Sequence, residues 1–266
     1  MTTRALLFDI GNTRLKWGVL ESGHIKRTGM LAHDKLAERG FGALTAKLPA
    51  NVDAVLASNV AGAAFGTRLS SVIGLHCGTE VRYARSARSA CGVINAYKQP
   101  RQLGVDRWAA MIGARAEFRS SLCIVDVGSA ITIDAIDSDG NHLGGQIMPG
   151  LRMMAESLKM NTSGMSEMRI RTADPGTGMA LFAKGTAHGV QSGALNAVCG
   201  AVERAVRILR TERLRPKIIL TGGGATPILN ELQGNVIHRP HLVLQGLAAM
   251  TTCAESRRNG AVRGSA

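Results

Sequence analysis

Aromatic residues are scarce in this chain: Phe, Tyr and Trp make up 3% of its 266 residues. A surface that grips nucleic acid by stacking bases on rings needs more of them. The core must instead be built from Ala, Val, Ile and Leu. There is no run of about 18 apolar residues of the kind that spans a membrane. The N-terminal apolar stretch meets Asp9 too early for a secretory signal, so a cytoplasmic protein is expected. The five cysteines, Cys77, Cys91, Cys123, Cys199 and Cys253, form no CxxC pair, and the seven histidines form no HxxxH or HExxH. Scattered reduced thiols are expected, and a zinc site is not. Also missing are the GxxxxGK[ST] phosphate loop, the GxGxxG dinucleotide loop and the GxSxG nucleophile elbow. A phosphate-handling enzyme with this sequence must use another device.

Acidic residues are few as well, 19 against 32 Lys and Arg, which leaves a net charge of +13. Nucleic acid, an acidic membrane surface or a small anionic substrate would each suit that balance. The basic residues do not run together, however. The densest stretch, Arg204–Arg215, reads as one solvated helix face, and the Arg257–Arg263 tail reads as a frayed terminus. On charge alone, neither nucleic acid nor a membrane is the expected partner. With 45% hydrophobic and 19% charged residues, the chain is of ordinary globular composition, enough for one large domain or two small ones.

What the sequence does contain is an imperfect repeat. Residues 6–24 (LLFDIGNTRLKWGVLESGH) align with residues 123–141 (CIVDVGSAITIDAIDSDGN) without a gap. Asp9 falls on Asp126, Gly11 on Gly128 and Gly23 on Gly140. Each copy reads as a buried strand (Leu6–Phe8, Ile124–Val125) ending in Asp-x-Gly, where glycine permits a tight turn and close approach to a ligand. A second strand follows, alternating at Ile131, Ile133 and Ala135. Ser22-Gly23 and Asp139-Gly140 are hairpin turns, and a third strand such as His142–Ile147 completes a meander. Val52–Ala57 and Val81–Tyr83 then read as strands and Arg107–Phe118 as a helix. Leu195, Val198, Val202, Val206 and Leu209 recur at helical period, with Pro216 as the stop. Ile218–Leu220 is a short buried strand. Two βββαβα-type halves, spanning residues 1–119 and 120–266, would set two Asp-bearing hairpins across a cleft.

Five motifs can carry chemistry. The Asp9-Ile10-Gly11-Asn12-Thr13-Arg14-Leu15-Lys16 hairpin offers amides, a hydroxyl and an ammonium to phosphate, and a carboxylate to Mg²⁺; it also fits a plain β-turn. Asp126-Val127-Gly128-Ser129-Ala130-Ile131-Thr132 offers a carboxylate, a close-approach Gly and two hydroxyls without a Lys, as half of a nucleotide site or as a relic turn. Thr221-Gly222-Gly223-Gly224 follows a strand and precedes a helix opened by Pro227; a purine could lie on it, or it could be a linker. At Gly104-Val105-Asp106-Arg107, Asp106 is either a helix cap or a general base beside an anion-gripping Arg. Gly144-Gly145 with Pro149-Gly150 packs backbone tightly, against a ligand or against the neighbouring hairpin.

Two Asp-x-Gly halves resemble the superfamily of acetate kinase, sugar kinases, Hsp70 and actin. Within it, the ordered set DIGNTRLK, GVDR, DVGSAIT, GGQIMPG and TGGGA resembles the type III pantothenate kinases, from Asp9 to beyond Gly224. The resemblance implies two duplicated ribonuclease H-like domains and ATP-dependent phosphorylation of pantothenate, the first step of coenzyme A synthesis, by a cytoplasmic homodimer. It implies that residues Asp9 to Lys16 hold the ATP phosphates and Mg²⁺, with Ser129, Gly222 and Gly223 also on ATP. Tyr97, Gly104, Val105, Asp106 and Arg107 would bind pantothenate, with Asp106 as proton acceptor. Asp126 would hold K⁺ or NH₄⁺, and Thr186 would reach the pantothenate of the partner subunit. This chain has Ser129 where the family commonly has Thr, and Gly185 where it often has Asn. A transcriptional accessory or nucleic-acid-binding role, or another kinase or phosphatase of the superfamily, is the alternative.

Overall fold

The computed structural model describes residues 4–165 and 181–263. The chain divides into two compact units, one of Met1–Phe118 with Leu242–Ala266, the other of Arg119–His241. The expected second domain ran to residue 266; the last segment belongs with the first unit instead. The reason lies in how its helix packs. No helix among the described residues is long and apolar enough to cross a membrane.

In the first unit, β1 (Arg4–Ile10), β2 (Arg14–Glu21) and β3 (His24–Ala32) form the expected meander. After the short helices α1 (His33–Arg39) and α2 (Gly42–Thr45), β4 (Ala54–Asn59) adds parallel to β1. Helix α3 (Ala63–Cys77) leads to β5 (Val81–Tyr83), parallel to β4, and the sheet order is β3-β2-β1-β4-β5. A small hairpin of β6 (Ser89–Ala90) and β7 (Val93–Ile94) precedes α4 (Val105–Glu117). Alternation assigns the two faces. Leu6, Phe8, Ile10, Leu15, Trp17 and Val55 join Leu69 and Ile73 of α3 in one apolar core. The opposite face takes α4 and the returning helix α8 (Leu242–Arg263), which pack closely on each other. A Cβ on Gly246 would run into the Ala109 carbonyl, so only glycine lets these two helices approach so near. Leu242, Leu244 and Leu247 of α8 are fully buried. That contact is what recruits the C-terminal segment to the first unit.

The second unit repeats the plan. Strands β8 (Leu122–Val127), β9 (Ala130–Ile136) and β10 (His142–Pro149) form a meander, followed by α5 (Leu151–Asn161) and α6 (Thr186–Thr211). Then come β11 (Lys217–Thr221), α7 (Ala225–Glu231) and β12 (Val236–His238), in the order β10-β9-β8-β11-β12. The predicted stripe on α6, Leu195, Val198, Val202, Val206 and Leu209, packs on Cys123, Val125, Val127, Ile131 and Ile133. It is therefore core within the unit. Burial among these residues pushes the Cys123 thiol up to about 12.

Two local expectations change. The gapless alignment slips inside the second strand of each copy: Asp9 faces Lys16, whereas Asp126 faces Thr132, one residue nearer. The tip of the second hairpin is shorter, with Gly128 N–H bonded to Ala130 O where Gly11 N–H reaches Arg14 O. The second change concerns the end of α6, which precedes Pro216. Glu212 is the C-cap and Arg213 is left-handed (φ 62°). The Leu214 N–H bonds to Leu209 O and that of Arg213 to Arg210 O. This is the Schellman stop, with arginine in the place usually given to glycine.

Candidate active site

Asp9 lies between Phe8 and Ile10, whose side chains enter the α3-side core, so its own carboxylate faces the α4 side. Strand register brings Lys16 beside it on β2 and Ser58 beside it on β4. Lys16 Nζ is 4.0 Å from Asp9 Oδ2, and Asp9 is 8% exposed. Ser58 is fully buried and its Oγ has no hydrogen-bond partner. It was not among the sequence candidates; its signal is a polar Ser-Asn pair closing an otherwise apolar strand. Asn12, Thr13 and Arg14 are exposed at the hairpin tip, while Ile10 and Leu15 are buried in the core. Those two can offer a ligand only main-chain groups. His33, also missed, braces the tip. Its N–H donates to Thr13 O at 2.9 Å, its ring is hydrogen-bonded to the Asn12 backbone, and it stacks on Phe65 at 4.5 Å. Burial lowers the His33 pKa, which keeps it neutral at pH 7.

The GVDR segment meets the same sheet edge. Strands β1, β4 and β5 are parallel, so Asp9, Ser58 and the residues just after Tyr83 share one end of the sheet. Ser86 donates to Leu103 O at 2.8 Å, which ties the start of α4 to that end. The carboxyl ends of parallel strands are where such sheets bind ligands. Gly104, not Asp106, is the N-cap of α4. Asp106 lies in the first turn, where its Oδ1 accepts the N–H of Arg107 at 2.8 Å. Gly104 leaves room for it: a Cβ there would come within 2.6 Å of Asp106 Oδ1. Val105 is half-buried. Arg107 is buried, donates to Tyr97 Oη at 3.0 Å, and stands over the Tyr97 ring. The expected pairing of Tyr97 with this segment is thus a direct contact.

In the second unit, Asp126, Ser129, Gly222 and Gly223 gather at the corresponding edge. Asp126 faces Thr132 on β9 and Thr221 on β11. Gly222 is left-handed (φ 95°), and a Cβ on it would stand 2.5 Å from Asp126 Oδ1. The Gly224 N–H donates to Val127 O at 2.9 Å. The glycine run is thus seated on the end of β8, and only Gly223 is exposed. The Gly150 N–H donates to Ser129 O at 3.0 Å, so the Pro149-Gly150 turn packs on the neighbouring hairpin. Thr186 opens α6 and lines a separate cavity of about 450 Å³ with Met154, Leu158, Val190 and Ala194. Among the described residues, no group of three His, Cys, Asp or Glu could hold a metal ion by itself.

Solved structures share this fold. The activator of 2-hydroxyisocaproyl-CoA dehydratase from Clostridium difficile, with bound ADPNP, has a TM-score of 0.51 at 13% identity, covering 97% of this chain and 98% of that one. MreB 5 of Spiroplasma citri, bound to AMPPNP, has a TM-score of 0.52 at 12% identity, covering 98% and 99%. The fold is that of the actin-like ATPases. More specifically, a family model described as type III pantothenate kinase matches residues 5–208. The protein of that name from Halorhodospira halophila (strain DSM 244 / SL1) is 38% identical over 248 residues, 91% of this chain and 95% of that one. The chain belongs to the type III pantothenate kinase family.

Proposed function

We propose that the protein transfers the γ-phosphoryl group of ATP to the primary hydroxyl of pantothenate, giving 4'-phosphopantothenate and ADP at the start of coenzyme A synthesis. The observation that carries this reading is the meeting, at one end of the first sheet, of the Asp9–Lys16 hairpin with the start of α4. One side suits phosphate and the other suits a hydroxy acid. Phosphoryl transfer asks a protein mainly for positioning and charge stabilisation. The Lys16 ammonium and the main-chain amides of the exposed Asn12–Arg14 tip take the phosphate charge. Asp106 accepts the hydroxyl proton as that oxygen bonds to phosphorus and the bond to the ADP oxygen breaks. A positioned base of this kind is worth about 10²–10⁴ in rate. Arg107, oriented by Tyr97 and Gly104-Val105, grips the pantothenate carboxylate.

The donor set fits Mg²⁺, which is typically held by one or two carboxylates, water and substrate phosphates. Asp9 supplies the carboxylate, and the unpartnered Ser58 hydroxyl beside it can accept a hydrogen bond from a coordinated water. When bound, Mg²⁺ neutralises charge on the transferring phosphate. Asp126 stands opposite Thr132 and Thr221 in register, and a carboxylate among hydroxyl-bearing residues fits a bound K⁺ or NH₄⁺ near the nucleotide. Ser129, Gly222 and Gly223 line the nucleotide side of that unit. Thr186 reaches the pantothenate of a second subunit in a homodimer, and the enzyme works in the cytoplasm. The test is ADP release coupled to pantothenate, with and without K⁺ or NH₄⁺. Pantothenate-dependent ADP release is expected. ATP turnover indifferent to pantothenate would point to another phosphotransferase or hydrolase of the same fold.

A further inference from the structure

The basic stretch at the end of α6 has a shape that its sequence did not suggest. From Arg204 to Lys217 the chain carries six cations and one carboxylate, Glu212. Arg204, Arg207, Arg210, Arg213 and Arg215 are all exposed, as a solvated face requires, and none forms an ion pair among the described residues. Arg210, Arg213 and Arg215 converge with Leu214 and Pro216 on a cavity of about 600 Å³. That volume lies within the range of small-molecule sites, roughly 300–1,000 Å³.

Arg213 is the informative residue. It occupies the left-handed position of the Schellman stop, φ 62°, where a Cβ is disfavoured and glycine is the usual choice. A strained, non-glycine residue held at a rim points to use of its side chain. The ordinary account of basic residues at a helix C-terminus is that they complement the helix dipole. That account serves Arg210 in the last turn. It does not serve Arg213 and Arg215, which lie beyond the helix, and it does not require a concave surface.

The cavity is also remote from the Asp126 edge of its own unit. Lys217 pairs with Leu122, and four residues later Thr221 pairs with Asp126. The arginines therefore sit at the opposite end of β11 from the Asp126 edge, with about 13 Å of strand between.

We infer that the cavity formed by Arg210, Arg213 and Arg215 is a binding site for a compact, multiply phosphorylated anion, distinct from the nucleotide site. Guanidinium groups make paired, parallel hydrogen bonds to phosphate oxygens. Three of them around one concavity match a ligand with several closely spaced phosphates better than a monoanion. A duplex backbone, which spreads its charge along a rod, would need a longer open track.

The test is equilibrium dialysis of the full chain with inorganic tripolyphosphate, wild type against arginine variants, with no nucleotide added because a triphosphate chain would compete for the same arginines. About one arginine-dependent tripolyphosphate per chain is expected to bind. Arg210→Gln/Arg213→Gln/Arg215→Gln should weaken that binding at least tenfold while pantothenate kinase activity without added tripolyphosphate is unchanged. Arg213→Gly sharpens the test: it relieves the left-handed strain, so the melting temperature should rise while tripolyphosphate binding falls. Binding unchanged in the triple variant, or a stoichiometry well below one half, would overturn the inference. A 20-base-pair duplex that binds with the same arginine dependence while tripolyphosphate does not would overturn it in favour of a nucleic-acid backbone. Because binding is read directly, failure of the kinase assay would leave this result standing.

Discussion

The two sheets share a strand order and an Asp-x-Gly hairpin, yet they surround their aspartates differently. Asp9 has Lys16 on one side and Ser58 on the other; Asp126 has Thr132 and Thr221. One residue of hairpin length separates the two cases. Had the second hairpin kept the length of the first, Asp126 would face Ile133. The shorter tip brings a hydroxyl alongside instead. Beyond the parallel strand the halves diverge again. The first continues its ladder, with Val60 N–H on Ile10 O, whereas the second turns left-handed at Gly222 and bonds Gly224 N–H to Val127 O. A duplicated scaffold thus sets one aspartate opposite a lysine and a serine and the other opposite two threonines. On the roles proposed above, the first neighbourhood receives phosphate and the second receives a cation.

The comparison breaks most sharply at Asp106, the base of the proposed mechanism. Asp106→Asn should lower kcat by about 10² or more, with ATP affinity kept. Turnover near wild type would leave the carboxylate as a helix-turn acceptor only. The next test makes the halves alike. Thr132→Lys installs beside Asp126 the cation that Lys16 supplies to Asp9. Wild-type turnover should rise about tenfold with K⁺, the worth of about 1.4 kcal/mol. The variant's turnover should no longer respond. If it still responds to K⁺, Asp126 is not the cation site.

Smaller effects probe the loops. Gly222→Ala puts a Cβ against Asp126 and Val127 at a left-handed φ. It should destabilise the protein by about 1–3 kcal/mol, read as a lower urea midpoint. An unchanged midpoint would mean that the loop yields freely. The smallest effect belongs to His33. Its folded pKa lies below the ordinary 6.5 because burial disfavours the charged ring. The unfolded chain therefore binds the proton first as pH falls. Stability from the neutral ring is complete above 6.5 and declines below it towards the lowered folded pKa. His33→Phe keeps a ring on Phe65 and should flatten this part of the stability–pH curve. An unaltered slope would assign it to other groups.

Much of this architecture is readable from residue order because strand alternation and turn glycines are local. The apolar runs before Asp9 and Asp126, the α6 stripe and the TGGGA turn all fall on the expected elements. What local pattern cannot show is register. The shortened second hairpin differs by one residue in a segment that aligns without a gap, and only the cross-strand hydrogen bonds reveal it. Ser58 and His33 escaped for a related reason: each matters through a neighbour distant in sequence, Asp9 across a parallel strand and Asn12 across a corner. The end of α6 was assigned to Pro216 because proline is the familiar stop. The actual stop uses Arg213, whose type does not advertise a left-handed backbone.

The return of α8 to the first unit fixes the order in which the protein can be completed. Residues 119–241 are contiguous, so everything the second unit needs has left the ribosome before Leu242 emerges. The first unit is interrupted. Its sheet is made early, but the α4 side waits for a helix encoded after the entire second unit. Until then Ala109 and Gly113 of α4 have no Gly246 or Leu242 to close against. Such long-range closure is slow and leaves apolar surface open meanwhile. The half of the molecule that is translated first is therefore the half that finishes folding last.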